Sequence, residues 1–177
     1  MVRPFFLVWC CILFSAVSSW ALCPEYEAGI HAKLLTIYYR HPEYHLGGTL
    51  KDGKIDCSEL VRQAAELVGV PRSKRKVRAC DIFEGSQPWG NVVIPKWNTG
   101  DNRRVDLIFE HIENGLVRPW GVNHILAVVE WEGVFHVMHA SSSRKTVVIE
   151  PLAPWVTRSM VDGGYRRMTL GDQGALP

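Results

Sequence analysis

Cysteine is scarce, five in 177 residues, and no pairs of cysteine and histidine stand at zinc-site spacing. A P-loop, a Gly-x-Gly-x-x-Gly turn and any internal repeat are missing as well, so metal and nucleotide chemistry find no support and no cofactor is implied. Charge of one sign is not in excess either: 20 basic residues against 18 acidic leave a net +2. That balance creates no large field, and a nucleic-acid partner gains nothing from it. What remains is an ordinary globular composition, 47% hydrophobic and 21% charged. Against about 150 residues per domain, the length allows one domain and some extra sequence.

The extra sequence is at the start. Arg3 is followed by 21 uncharged residues before Glu25, with an apolar run from Phe5 to Val17 and small residues gathering toward Ala21. This pattern predicts a secretory signal peptide over 1–21, cut after Ser19-Trp20-Ala21, and an exported single domain over 22–177. An uncleaved membrane anchor is the alternative, since about 20 apolar residues can just span a bilayer. Removing the leader takes Cys10 and Cys11 and leaves Cys23, Cys57 and Cys80. Three is odd, and in an oxidising compartment it suggests one disulfide and one free thiol, a candidate nucleophile.

Context favours Cys57. Asp56-Cys57-Ser58-Glu59 precedes Leu60, Val61, Ala64, Ala65, Leu67 and Val68, whose spacing is that of a buried helix face. Asp56 with Glu59 reads as a capping box, and Gly69 with Pro71 as the stop. Cys57 is then the first helical residue, where unpaired N–H groups and the helix dipole lower a thiol pKa and can hold an oxyanion. The other reading of Cys57 is a buried or disulfide-bonded cysteine.

A thiolate needs a base, and seven histidines are available. His31, His41, His45 and His111 read as surface residues. Asn123 to Val129 and Val134 to Ala140 read as a hairpin around Glu130-Trp131-Glu132-Gly133. A loop centred between Trp131 and Glu132 sets Val128 opposite Phe135, Leu126 opposite Val137 and His124 opposite His139. Side chains so opposed are about 5 Å apart, which suits His124 as base and His139 as the group that orients it. His136 points to the other face. The alternative is that both are ordinary strand histidines with satisfied hydrogen bonds.

In order, Tyr44-x-x-Gly47-Gly48-Thr49, Gly53, Asp56-Cys57-Ser58, Gly69-Val70-Pro71-Arg72-Ser73, Asp106-Leu107-Ile108-Phe109, His124-Ile125 and His139-Ala140-Ser141 resemble the motifs of NlpC-type cell-wall endopeptidases. The resemblance implies a papain-like α+β fold, in which the helix bearing the nucleophilic cysteine packs on an antiparallel sheet. It implies cleavage of peptidoglycan stem peptides, typically between D-γ-glutamate and the following diamino acid. Cys57 is then nucleophile, His124 base and His139 the orienting residue. Tyr44 matches a tyrosine lining the site, and Asp56 and Ser58 match positions that help hold the stem peptide. The chain departs from the pattern at Glu59, where the family usually has glycine, at Val105-Asp106 for Gly-Asp, and at Leu126 for a small residue. Glu59 is expected either to redirect substrate binding or to serve only the helix cap. A catalytically idle wall-peptide or partner-binding module, and a secreted antibacterial amidase toxin, are the alternative functions.

Two further segments stand out. Arg72, Lys74, Arg75, Lys76 and Arg78 form a basic run without an acidic residue until Asp81, either a solvated connection or a weak contact with an anionic envelope. Cys80, just beyond, is the disulfide candidate for Cys23. Trp89, Trp97, Trp120 and Asn98-Thr99-Gly100-Asp101-Asn102 read as a loop insertion walling the groove. Lys145 to Glu150 continues the sheet, and Arg166-Arg167-Met168 reads as a last edge strand.

Overall fold

A computed structural model describes residues 24–68, 77–85, 93–95, 104–110, 121–158 and 160–168. The expected signal segment, most of the basic run, His111, Cys23 and the tryptophan-bearing insertion lie outside the described residues.

Helix α1 (Pro24–Tyr39) leads into two short strands, β1 (Glu43–Tyr44) and β2 (Lys54–Ile55). Helix α2 (Cys57–Ala65) follows and tightens into a 3-10 turn over Glu66–Val68; the expected stop at Gly69 and Pro71 lies outside the described residues. Then come α3 (Ala79–Phe83), β3 (Val93–Pro95), β4 (Leu107–Glu110), β5 (His124–Trp131), β6 (Val134–Ser141), β7 (Thr146–Pro151), α4 (Leu152–Arg158) and β8 (Met160–Met168). One sheet runs in the order β2-β1-β7-β6-β5-β4-β8-β3, antiparallel except for β1 with β2. Arg166-Arg167-Met168 therefore does not form an edge, because β8 lies between β4 and β3.

Alternation along β5 and β6 divides the core. Ile125, Ala127, Val129, Met138 and Ala140 face α1 and α2, meeting Ile30, Leu34, Leu60, Val61 and Ala64. Leu126, Val128 and Val137 face the other way, with Ile108 and with Leu152 and Trp155 of α4. His31 is not a surface residue: its Nε2 lies 2.9 Å from the Glu130 carbonyl oxygen and 3.1 Å from the Glu130 amide nitrogen. Either tautomer bonds that peptide, tying α1 to the end of β5. His41 and His45 are exposed as expected.

The β5–β6 turn differs from expectation by one residue. Trp131 pairs with Val134, leaving Glu132 (φ 53°) and Gly133 (φ 77°) as the two loop residues. A tight two-residue turn asks for positive φ at both centres, so it draws Gly133 into the loop. Val128 consequently pairs with Val137, not Phe135.

Gly48 is required by close approach. A Cβ there would stand 2.8 Å from Lys54 Cβ, 2.9 Å from the His45 carbonyl oxygen and 3.0 Å from the Ile55 amide nitrogen. Two of these neighbours are backbone and cannot swing away. Gly48→Ala is expected to cost about 1–3 kcal/mol in denaturant unfolding, as overpacking does; an unchanged midpoint would contradict this crowding.

Candidate active site

The N-terminus of α2 is built around Asp56. Its Oδ1 accepts the Glu59 N–H and the Ser58 hydroxyl, both at 2.8 Å, and its Oδ2 accepts the Gly47 N–H at 2.7 Å. The cap thus locks the Gly47-Gly48 loop against the start of the helix. The expected capping box is only half formed. Glu59 does not reach back to Asp56; its carboxylate turns along α2 to Arg62 and Gln63. Asp56 and Ser58, expected to hold substrate, spend these hydrogen bonds on each other and on the chain.

Cys57 follows the cap and is 8% exposed. Backbone N–H groups of Ile125, Ser58 and Cys57 itself favour its thiolate, yet burial, followed by the Asp56 charge, pushes the thiol up to about 12. This reverses the lowered pKa expected at a helix start. Desolvation of a charged sulfur outweighs what the helix end returns. Tyr44 is half-buried nearby, and its phenol is raised by burial and by the charges of Cys57 and Asp56.

The two histidines meet, by a different route than direct opposition. Extending the observed register sets Leu126 against His139, so His124 lies diagonal to it on the same face. Their rings bridge the diagonal, His124 Nε2 to His139 Nδ1 at 3.0 Å, with ring planes at 86°. Moving the turn centre by a whole residue shifted the partners but preserved the face, since parity decides it. His136 falls on the other face, as expected, and bonds its own strand at the Val134 carbonyl.

The pair is covered from the α4 side. The Trp155 ring stands 5.0 Å from that of His139 and 6.4 Å from that of His124. Its indole Nε1 donates to Glu150 Oε2 at 3.1 Å, and the same oxygen lies 3.6 Å from His139 Nε2. Burial, then the His139 charge, lowers His124 to about 3; burial also lowers His139, against an opposing pull from Glu150. These shifts favour a neutral thiol and neutral imidazoles at rest, not the thiolate expected at the helix start.

Among the described residues, a cavity of about 510 Å³ opens on Cys57 and is lined also by Gly47, Ser58, Arg78, Cys80 and Asn123. The dyad is not in its lining, and no hydrogen bond joins His124 to Cys57. With Nε2 bound to His139, Nδ1 is the His124 nitrogen outside that hydrogen bond. Cys80 is buried at 4% exposure and is a free thiol among the described residues; its expected partner, Cys23, lies outside them. Helix α3 turns Cys80 into the cavity with Cys57. Arg78 is not a free cation either: its Nη2 meets Asp81 Oδ1 at 2.8 Å, and Asp81 also caps its backbone.

Sequence reasoning missed Glu150, Trp155, Cys80 as a cavity residue and Asn123. Glu150 had one signal, an acidic residue ending a Thr-Val-Val-Ile strand; the others depend on which elements pack together.

Neutral buried histidines make a stability prediction. A histidine whose folded pKa is depressed leaves the unfolded chain binding more protons, so stability is full above pH 6.5 and falls as pH drops toward the folded pKa. His31, His124 and His139 all shift this way, and for His124 the window runs from 6.5 to about 3. Stability should fall by about 1.4 kcal/mol per pH unit for each strongly shifted histidine below pH 6.5. Denaturant titrations at pH 7.5, 6 and 5 test this, and a flat profile contradicts it.

No protein-family model matches the sequence, and no curated protein matches it. Solved structures do. NlpC1 of Trichomonas vaginalis is 16% identical, with a TM-score of 0.58 over 86% of this chain and 47% of that one. NlpC2 of the same organism is 18% identical, TM-score 0.57, over 81% and 47%. A Staphylococcus aureus protein described as similar to lipoprotein, of the NLP/P60 family, is 19% identical, TM-score 0.56, over 84% and 43%. The chain thus spans less than half the length of each. At these identities the shared property is architecture, and the chain has the papain-like α+β fold of NlpC/P60 proteins.

Proposed function

We propose that the chain is a cysteine hydrolase of peptidoglycan stem peptides, with Cys57 as nucleophile, His124 as base and His139 as the residue that orients His124. One observation carries the reading: the cysteine that begins a capped helix opens on a cavity beside the start of β5, whose His124 is hydrogen-bonded to His139 of β6. The fold shared with NlpC proteins supports it. The substrate class, and the D-γ-glutamyl-diamino acid bond, come from the motif resemblance.

The mechanism starts from neutral partners. His124 Nδ1 takes the Cys57 proton as sulfur attacks the carbonyl, and the imidazolium is steadied through Nε2–H by His139. Backbone N–H groups at the start of α2 stabilise the oxyanion. His124 then protonates the leaving amine and activates the water that clears the acyl-enzyme. Residues 1–21 direct export, so the wall is within reach.

A second reading has one observation in its favour. Trp155 covers the histidines and Cys57 carries a raised pKa, which suits an idle module that binds wall peptides. The purified chain, wild type and Cys57→Ala, incubated with defined muropeptides and read by mass spectrometry, decides between them. New fragments from wild type alone support the hydrolase and name the bond. Binding without cleavage by either protein transfers the assignment to the module.

A further inference from the structure

Beyond the cysteine and two histidines, we propose that Glu150 is a positioning residue that fixes the proton of His139 on Nε2 and thereby sets the tautomer of His124. The inference rests on the hydrolase reading for its catalytic consequence, and on geometry for the rest.

His139 uses Nδ1 to meet His124 Nε2 at 3.0 Å. A neutral ring carries one proton, so Nδ1 accepts only if that proton is on Nε2. His139 Nε2 is buried without a hydrogen bond among the described residues, and the Glu150 carboxylate faces it, with Oε2 at 3.6 Å. A carboxylate there stabilises Nε2–H and repels the tautomer that would aim a lone pair at it. His124 must then donate its own proton from Nε2, which leaves the Nδ1 lone pair for the cysteine proton. With the opposite tautomer of His139, His124 would carry its proton on Nδ1 and could not act as base.

The carboxylate is itself held in place. Trp155 Nε1 donates to the same oxygen at 3.1 Å, so the indole that covers the dyad also anchors the group behind it. Glu150 reaches this place by strand alternation: it pairs with Val137 and His139 with Val148, putting both side chains on the α4 face. From β4, Glu110 pairs with His124, and α4 contributes the uncharged indole. Glu150 is therefore the acidic group set against His139, while Glu110 is the strand partner of His124.

Long-range ¹H–¹⁵N correlation spectra of the histidine-labelled full chain at pH 7.5 read the tautomer directly. Wild type is expected to show His139 protonated on Nε2, Glu150→Gln to keep that pattern through its amide oxygen, and Glu150→Ala to shift it toward Nδ1. Cleavage by Glu150→Ala should fall about tenfold in kcat with KM unchanged, while Glu150→Gln recovers most of it. A role limited to packing would leave the tautomer unmoved. An Nδ1 proton on wild-type His139, or the same tautomer in folded Glu150→Ala, overturns the proposal. Should Glu150→Ala not fold, Glu150→Asp withdraws the acceptor by one methylene and serves the same test. A tautomer response without stem-peptide cleavage rejects the hydrolase reading alone, and cleavage without the response rejects the relay alone.

Discussion

His124→Ala is expected to lower kcat/KM for the stem-peptide substrate by about a thousandfold, within the range seen when a general base is removed. The size follows from the burial of Cys57. A thiol pushed up to about 12 is ionised in only about one molecule in 10⁵ at pH 7. Attack therefore depends on a base that removes the proton as the bond forms. His139→Ala should cost less, because His139 touches His124 and not the sulfur. Cys57→Ala combined with His124→Ala should be no worse than Cys57→Ala, since the two act as one unit. Residual activity of His124→Ala should rise with pH, following the thiolate. A His124→Ala variant within tenfold of wild type on muropeptides would remove His124 from the chemistry.

Much of this arrangement was legible because it depends on local rules. The Asp56 cap, the helix from Cys57 and the strands around the histidines follow from spacing and capping residues within a few positions of one another. The shared face of His124 and His139 was legible for a stronger reason, that strand alternation tolerates any even error in register. Their diagonal contact was not, because it hung on the preference of Gly133 for a positive-φ turn position. The ionisation of Cys57 was misjudged from sequence, where the helix end is visible and desolvation is not. The Trp155 cover, the Glu150 contact and the placement of Cys80 needed α3 and α4 to be packed, and no pattern along the chain encodes that. Glu59 lies between these cases: its identity departs from the family pattern, and only its partners say what it does.

Those partners make Glu59→Gly the substitution expected to cost most in stability. Glu59 is 8% exposed and Arg62 6%. The carboxylate takes Arg62 Nε and Nη2, each at 2.6 Å, Gln63 Nε2 at 2.8 Å and the Leu50 N–H at 3.5 Å. Removing it leaves a buried guanidinium with Glu66 at 2.7 Å and strands the Gln63 amide. Breaking a buried pair in this way costs about 3–5 kcal/mol, and the remaining Glu66 contact places this case at the lower end. Glycine within the helix adds about 1 kcal/mol relative to alanine. Replacing both partners, Glu59→Leu with Arg62→Leu, should recover most of the loss, because neither charge is then left buried alone. The side chain points along α2 and does not line the cavity at Cys57. Its substitution should therefore move the denaturation midpoint and leave KM for cleaved muropeptides unchanged. A loss below about 1 kcal/mol in Glu59→Gly, or a KM that shifts while stability holds, would return Glu59 to the substrate side of the site.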